Sequence, residues 1–145
     1  IQNQNYRVTA INETLQKTNL GDLQIGQKVN LERCMLASAR FDGHIVQGHV
    51  DLTGTCTEII DQQGSWEFHF SYPAASGQMT VEKGSICVNG TSLTVVDSGA
   101  DYFSVAIIPY TYEHTNFQQL EVGAQVNLEF DIIGKYVARY LSLQQ

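Results

Sequence analysis

Apolar and polar residues alternate along most of this chain, in short runs separated by turn-forming residues. Arg7–Ile11 and Lys28–Glu32 read as strands on this pattern. So do Val50–Ile60, Trp66–Tyr72, Ser85–Val88, Ser92–Asp97, Tyr102–Ile108 and Gln125–Phe130. Gln62-Gln63-Gly64 and Ser98–Asp101 mark turns, and Pro109 ends the run before it. Asn89-Gly90 lies between two apolar runs, which is a strong two-residue hairpin signal because both positions tolerate positive φ. Six short strands from Val50 to Phe130 predict a small closed antiparallel barrel of Greek-key type, in an all-β fold class. After Asp131 the period changes. Ile133, Tyr136, Val137, Tyr140 and Leu141 fall on one helical stripe, with Asp131 as the N-cap. A helix this short needs packing partners. Its own barrel and the same helix of neighbouring subunits are the two alternatives.

The chain also contains one unit twice. Asn5–Arg33 aligns without gaps on Tyr102–Phe130 at a shift of 97, with 11 of 29 positions identical. The identities include Val8/Val105, Thr14/Thr111, Thr18/Thr115, Asn19/Asn116, Gly26/Gly123, Asn30/Asn127 and Glu32/Glu129. Duplication of a supersecondary unit accounts for this. The second copy starts near Gly48, so its counterpart would start about 50 residues ahead of Ile1. The expectation is a shortened or partly observed form of a protein of about 195 residues. On this reading residues 1–44 are the remnant of a first barrel, 45–131 a complete second barrel, and 132–145 a terminal helix.

Composition narrows the function classes. Among 145 residues, 43% are apolar and 16% charged, a folded composition with room for a core without staples. Eight Lys and Arg against 15 Asp and Glu give a net charge of −7, which repels phosphate backbones and makes nucleic acid an unexpected partner. No apolar run approaches the ~20 residues of a membrane-spanning helix. Cys34, Cys56 and Cys87 are odd in number and far apart, which disfavours a disulfide framework or a zinc site and fits a reducing cytoplasm, with small buried side chains as their role.

Candidate chemistry sits in two motifs. His44 and His49 belong to GHIVQGHVD, and histidine is the side chain that changes charge near neutrality unperturbed. Ser92 and Thr94 are one residue apart on a strand and share a face, with Leu93 turned away. Two hydroxyls beside a tight turn can line a pocket, and they can equally satisfy each other across a barrel. Pairing Ser92 with His49 as a proton-relay dyad is the expectation; a structural role is the alternative for each, and more so for His44.

Gly43–Thr55 (GHIVQGHVDLTGT), Lys83–Val96 (KGSICVNGTSLTVV), Ile107–Asn116 (IIPYTYEHTN) and Val126–Leu141 (VNLEFDIIGKYVARYL) resemble the riboflavin synthase family, and so does Glu13–Arg33. The resemblance covers nearly the whole chain. It implies two similar six-stranded barrels followed by a helix, assembled as a homotrimer and located in the cytoplasm. It implies a dismutation in which two 6,7-dimethyl-8-ribityllumazine molecules exchange a four-carbon unit, giving riboflavin and 5-amino-6-(D-ribitylamino)uracil. It implies that no metal or redox cofactor takes part. A non-catalytic lumazine or flavin carrier, or an inactive ligand-binding piece of the enzyme, is the alternative.

On the matching positions, the resemblance implies His49, Ser92 and Thr94 as catalytic. It implies ligand contacts at Ile107, Ile108, Pro109, Tyr110, Thr111 and Tyr112, where a strand end offers main-chain groups to a pteridine edge. The first-copy counterpart is Thr9, Ala10, Ile11, Asn12, Glu13 and Thr14. The resemblance also implies main-chain contacts from Gly48 and Val50 and a substrate contact at Leu93, within the hydroxyl motif. Lys83 is similar to a lysine reaching ligand held by an adjacent chain, with a solvated lysine as the alternative. Asp131 is at a family active-site position, with helix capping as an equal explanation. Asn89 stands where many relatives carry Asp, and forming the turn explains it.

Overall fold

The computed structural model describes Asn5 and residues 7–144. Residues 1–4, 6 and 145 of the units assigned above lie outside the described residues. Six strands form one closed barrel: β1 (Leu52–Asp61), β2 (Trp66–Ser71), β3 (Ser85–Val88), β4 (Thr91–Ser98), β5 (Tyr102–Ile107) and β6 (Gln125–Phe130). Their order around the barrel is β1-β2-β5-β4-β3-β6, every neighbour antiparallel. All six strands expected between Val50 and Phe130 form, with ends within two residues of the reading.

The barrel closes because alternate side chains turn inward. Phe68, Phe70, Ile86, Val88, Val95, Phe103, Val105, Ile107, Val126 and Leu128 are at most 1% exposed. Phe117, from a 3-10 turn between β5 and β6, is buried in the same core with its ring edge against Phe68. The β3–β4 hairpin turns through Asn89 (φ 48°) and Gly90 (φ 80°), both left-handed, as a primed turn demands.

The first copy departs from the strand reading. Arg7–Ile11 and Lys28–Glu32 carry no strand. Their counterparts β5 and β6 pair with β2 and β4 and with β1 and β3. Shifted by 97, those four partners fall at or before residue 1, so the described residues contain no counterparts for these ladders. What survives is the part whose hydrogen bonds are local. Helix α1 (Asn12–Lys17) and a 3-10 turn (Asn19–Asp22) match helix α2 (Pro109–His114) and a 3-10 turn (Asn116–Gln119) at the same 97-residue shift. Thr18 Oγ1 donates to Thr14 O at 2.6 Å, and Thr115 Oγ1 donates to Thr111 O at 2.6 Å. Gly26 (φ 96°) and Gly123 (φ 92°) make the same left-handed turn.

The two copies grip each other reciprocally through asparagines. Asn19 N–H donates to Asn127 Oδ1 (2.8 Å), and Asn116 N–H donates to Asn30 Oδ1 (2.7 Å). These four residues are two pairs of repeat equivalents, so the contact carries a local pseudo-two-fold. Asn30 Nδ2 also donates to Asn89 O and Asn116 Oδ1, both at 2.9 Å. Asn89 Oδ1 accepts from Asn127 N–H at 2.8 Å.

Helix α3 (Ile132–Ser142) follows β6. Asp131 caps it by accepting from Ile133 N–H at 2.9 Å, as expected. Lys135 Nζ holds it to Asp51, 2.7 Å from Oδ2 and 2.8 Å from Oδ1. The apolar stripe does not pack on the chain's own barrel: Ile133, Tyr136, Val137, Tyr140 and Leu141 are 53–73% exposed.

Core and interlock separate energetically. Phe68→Ala should cost ~3–5 kcal/mol and lower the urea midpoint of the barrel. Asn30→Ala should leave that midpoint nearly unchanged but raise amide exchange in α1 and its 3-10 turn about tenfold, the size of a lost buried hydrogen bond. Equal effects of both on the barrel midpoint would contradict this division.

Candidate functional site

Cross-strand register places Ser92 (β4) opposite Cys87 (β3), and Cys87 opposite Glu129 (β6). Their neighbours Ile86, Val88, Leu93, Leu128 and Phe130 point into the barrel, so this three-residue row lies on its outer face. Cys87 is nevertheless 2% exposed and Glu129 5%. The segment 42–50 covers them, running across β4, β3 and β6. Burial first, and the Glu129 charge second, push the Cys87 thiol up to about 12, so it is no nucleophile.

Both ends of the segment are bonded to this row. At one end His44 Nδ1 lies 2.7 Å from Ser92 Oγ, and His44 N–H donates to the same oxygen at 3.2 Å. Gly43 permits this approach, since a Cβ there would collide with Ser92 Oγ and lie 2.8 Å from Ser92 Cβ. At the other end Glu129 accepts from Gln47 N–H (Oε1, 2.7 Å) and His49 N–H (Oε2, 2.8 Å). Gly48 between them has φ 76°, a left-handed kink that suits glycine.

Ser92 therefore pairs with His44, not with His49. Burial lowers the His44 pKa below 6.5, partly offset by the charges of Asp131 and Glu129. The ring is thus neutral at pH 7, and its Nε2 is buried without a hydrogen-bond partner among the described residues. His49 has an exposed ring on a main chain fixed by Glu129. Thr94 lies exposed on the same strand face as Ser92, and Leu93 faces the core, as the alternation required. Lys83 is exposed, at φ 63°, its N–H donating to Val95 O at 3.0 Å. Asp131 is both helix cap and part of the field at His44.

Antiparallel pairing takes the end of β5 toward the Ser92 end of β4. There the expected strand edge is short. Ile107 is core, and Ile108 stays extended with an exposed side chain. From Pro109 the chain is helical, and Tyr112 N–H donates to Ile108 O at 3.0 Å. Tyr110 is exposed and stacks on His114 at 4.2 Å, whereas Tyr112 stacks on Trp66 at 3.8 Å. The same replacement of strand by helix occurs in the first copy, where Leu15 N–H donates to Ile11 O at 3.1 Å. Proline at a strand end signals termination and also suits the first turn of a helix; that second meaning was the missed signal.

Thr9, Ala10, Ile11, Asn12, Glu13 and Thr14 belong to the first copy, which is tied to the barrel at the Asn89-Gly90 turn. A cavity of about 280 Å³ opens between the two copies, lined by Asn19, Lys28, Asn89 and Asn116 among others, and includes neither His44 nor Ser92. Sequence reasoning missed Glu129, although its identity with Glu32 across the repeat was visible. Cys56 and Cys87 are buried as expected, but Cys34 is exposed.

His44 should titrate below 6.5 by NMR. A group with a depressed folded pKa contributes stability that is present above its unfolded pKa and is lost as pH falls through the folded one, so the barrel should weaken as pH drops below 6.5. Gly43→Ala displaces Ser92, opens the ring to water, and should move the His44 pKa back up toward 6.5. An unchanged titration would contradict the burial described here.

The family model for the lumazine binding domain matches residues 1–34 and 47–131. The chain is 43% identical over 136 residues to riboflavin synthase of Actinobacillus pleuropneumoniae, covering 94% of this chain and 63% of that one. It is 48% identical over 135 residues to riboflavin synthase of Mycobacterium tuberculosis (strain H37Rv), covering 89% and 66%. The Bacillus subtilis enzyme is 40% identical over 136 residues, covering 94% and 63%. The chain thus spans less than two thirds of the length of these relatives. In fold it matches LumP complexed with riboflavin, TM-score 0.75 at 22% identity over 83% of this chain and 65% of that one. It also matches LumP complexed with 6,7-dimethyl-8-(1'-D-ribityl) lumazine, TM-score 0.72 at 21% identity over 85% and 69%. With its repeat, its barrel and 119 residues under one family model, the chain belongs to the lumazine-binding domain family.

Proposed function

We propose that this chain is the greater part of a riboflavin synthase, which converts two molecules of 6,7-dimethyl-8-ribityllumazine into riboflavin and 5-amino-6-(D-ribitylamino)uracil. The observation that carries this reading is 40–48% identity to riboflavin synthases along 89–94% of the chain, with the hydroxyl and histidine motifs of the sequence meeting across one barrel face. The complete barrel, 45–131, binds one pteridine. Residues 1–44 belong to a first barrel.

The reaction needs a proton taken from a ring methyl group, a nucleophile added at a ring carbon, and later proton transfers. The neutral His44 ring and Ser92 hydroxyl, 2.7 Å apart, form a relay that accepts or returns a proton. His49 carries protons at the exposed mouth, and Thr94 binds beside Ser92. Gly48, Val50, Ile108 and Thr111 supply ligand contacts, and Thr9–Thr14 serve the same purpose in the first copy. Lys83 reaches toward ligand held by a neighbouring chain. The uncovered stripe on α3 supports self-association through that helix, as a homotrimer. The enzyme works in the cytoplasm.

A non-catalytic carrier is the second reading, favoured by the match in fold to LumP, solved with lumazine and with riboflavin. One experiment separates the two. The chain is mixed with 6,7-dimethyl-8-ribityllumazine, with ligand fluorescence titrated and riboflavin formation followed. Saturable binding with riboflavin formation is expected, and Ser92→Ala should slow formation about a hundredfold. Binding without any riboflavin, in a chain extended to full length, would favour the carrier. No binding would overturn both readings.

A further inference from the structure

We propose that Glu129 is a positioning residue, whose two carboxylate oxygens hold the 42–50 segment across the outer barrel face and so set its histidines and main-chain groups for the ligand. This rests on the proposed function, since the ligand is the one named there. Glu129 is 5% exposed, and each of its oxygens is used: Oε1 by Gln47 N–H at 2.7 Å, Oε2 by His49 N–H at 2.8 Å. A carboxylate offers acceptors only, which suits two converging N–H groups that have no strand to pair with. The left-handed turn at Gly48 fits between the two N–H groups that reach one side chain. At the other end of the segment the hold is the single Ser92 hydroxyl on His44. Releasing Glu129 therefore frees His49 directly and loosens His44 through the chain between them. Glutamine is nearly isosteric but keeps one acceptor oxygen, and its amide group would face a backbone N–H donor to donor.

The repeat supplies a control. Glu32 is the equivalent of Glu129 and is exposed, and the segment it would clamp, 97 residues before Gln47–His49, is absent from the 145 residues. The experiment compares wild type, Glu129→Gln and Glu32→Gln in this chain. It measures amide exchange at Gln47 and His49 and titrates 6,7-dimethyl-8-ribityllumazine by fluorescence. Glu129→Gln should speed exchange at both amides and weaken lumazine binding about tenfold, as expected for one lost charge-assisted hydrogen bond and one unpaired donor. Glu32→Gln should change neither.

Fast exchange with unchanged affinity would reduce Glu129 to a structural tether and overturn the proposal. Unchanged exchange would overturn it too, by removing the clamp itself. Failure of the wild type to bind lumazine is a different outcome: it defeats the proposed function, while the exchange data still report on the clamp. If Glu129→Gln does not fold, Gly48→Ala breaks the same clamp from the segment side with β6 untouched. It should reproduce the faster exchange and the weaker binding, and retained affinity there would overturn the proposal.

Discussion

Strand β6 is the closure on which the rest depends. It bonds to β1 on one side and β3 on the other, and without it the other five strands would be an open sheet with two bare edges. Its alternation does two jobs. Val126, Leu128 and Phe130 point inward and fill the core. Asn127 and Glu129 point outward, and each holds a segment that has no strand partner of its own: the first copy in one case, the 42–50 segment in the other. Asp131, at the end of the same strand, starts the terminal helix.

The candidate site lies on the outside of the barrel and not in its interior. The interior is filled by phenylalanine and branched aliphatic side chains. In that outer row Cys87 and Glu129 are buried beneath a chain segment, and Ser92 is half-buried. That covering segment must satisfy its own backbone donors, and the buried carboxylate does so. The same cover removes water from His44, which makes its ring a neutral hydrogen-bond partner for Ser92.

The two repeat copies show which parts of a fold are self-sufficient. Helix, 3-10 turn and left-handed glycine recur in both copies, down to matching threonine bonds of 2.6 Å, because those contacts span four residues or fewer. The strands recur in only one copy, because a strand is defined by a partner elsewhere. The asparagine interlock ties the first copy to the barrel.

Period and spacing along the chain were enough to determine the duplication, the six strands of the later copy, the Asn89-Gly90 turn, the Asp131 cap and the apolar stripe after it. Apart from the duplication, which is read by comparing two segments, each of these rests on residues close together in sequence. The partnership of Ser92 with His44, and the grip of Glu129 on Gln47 and His49, join residues 48 and 80 or more positions apart. Strand register decided them, since a slip of one residue would turn Ser92, Cys87 and Glu129 into the core. Short helices at Asn12 and Pro109 escaped for a related reason: the residues that end a strand also begin a helix, and the packed barrel selects between the two. The loss of the strands at Arg7–Ile11 and Lys28–Glu32 is the clearest case, because alternation specifies a face for burial while only a neighbouring strand provides the hydrogen bonds.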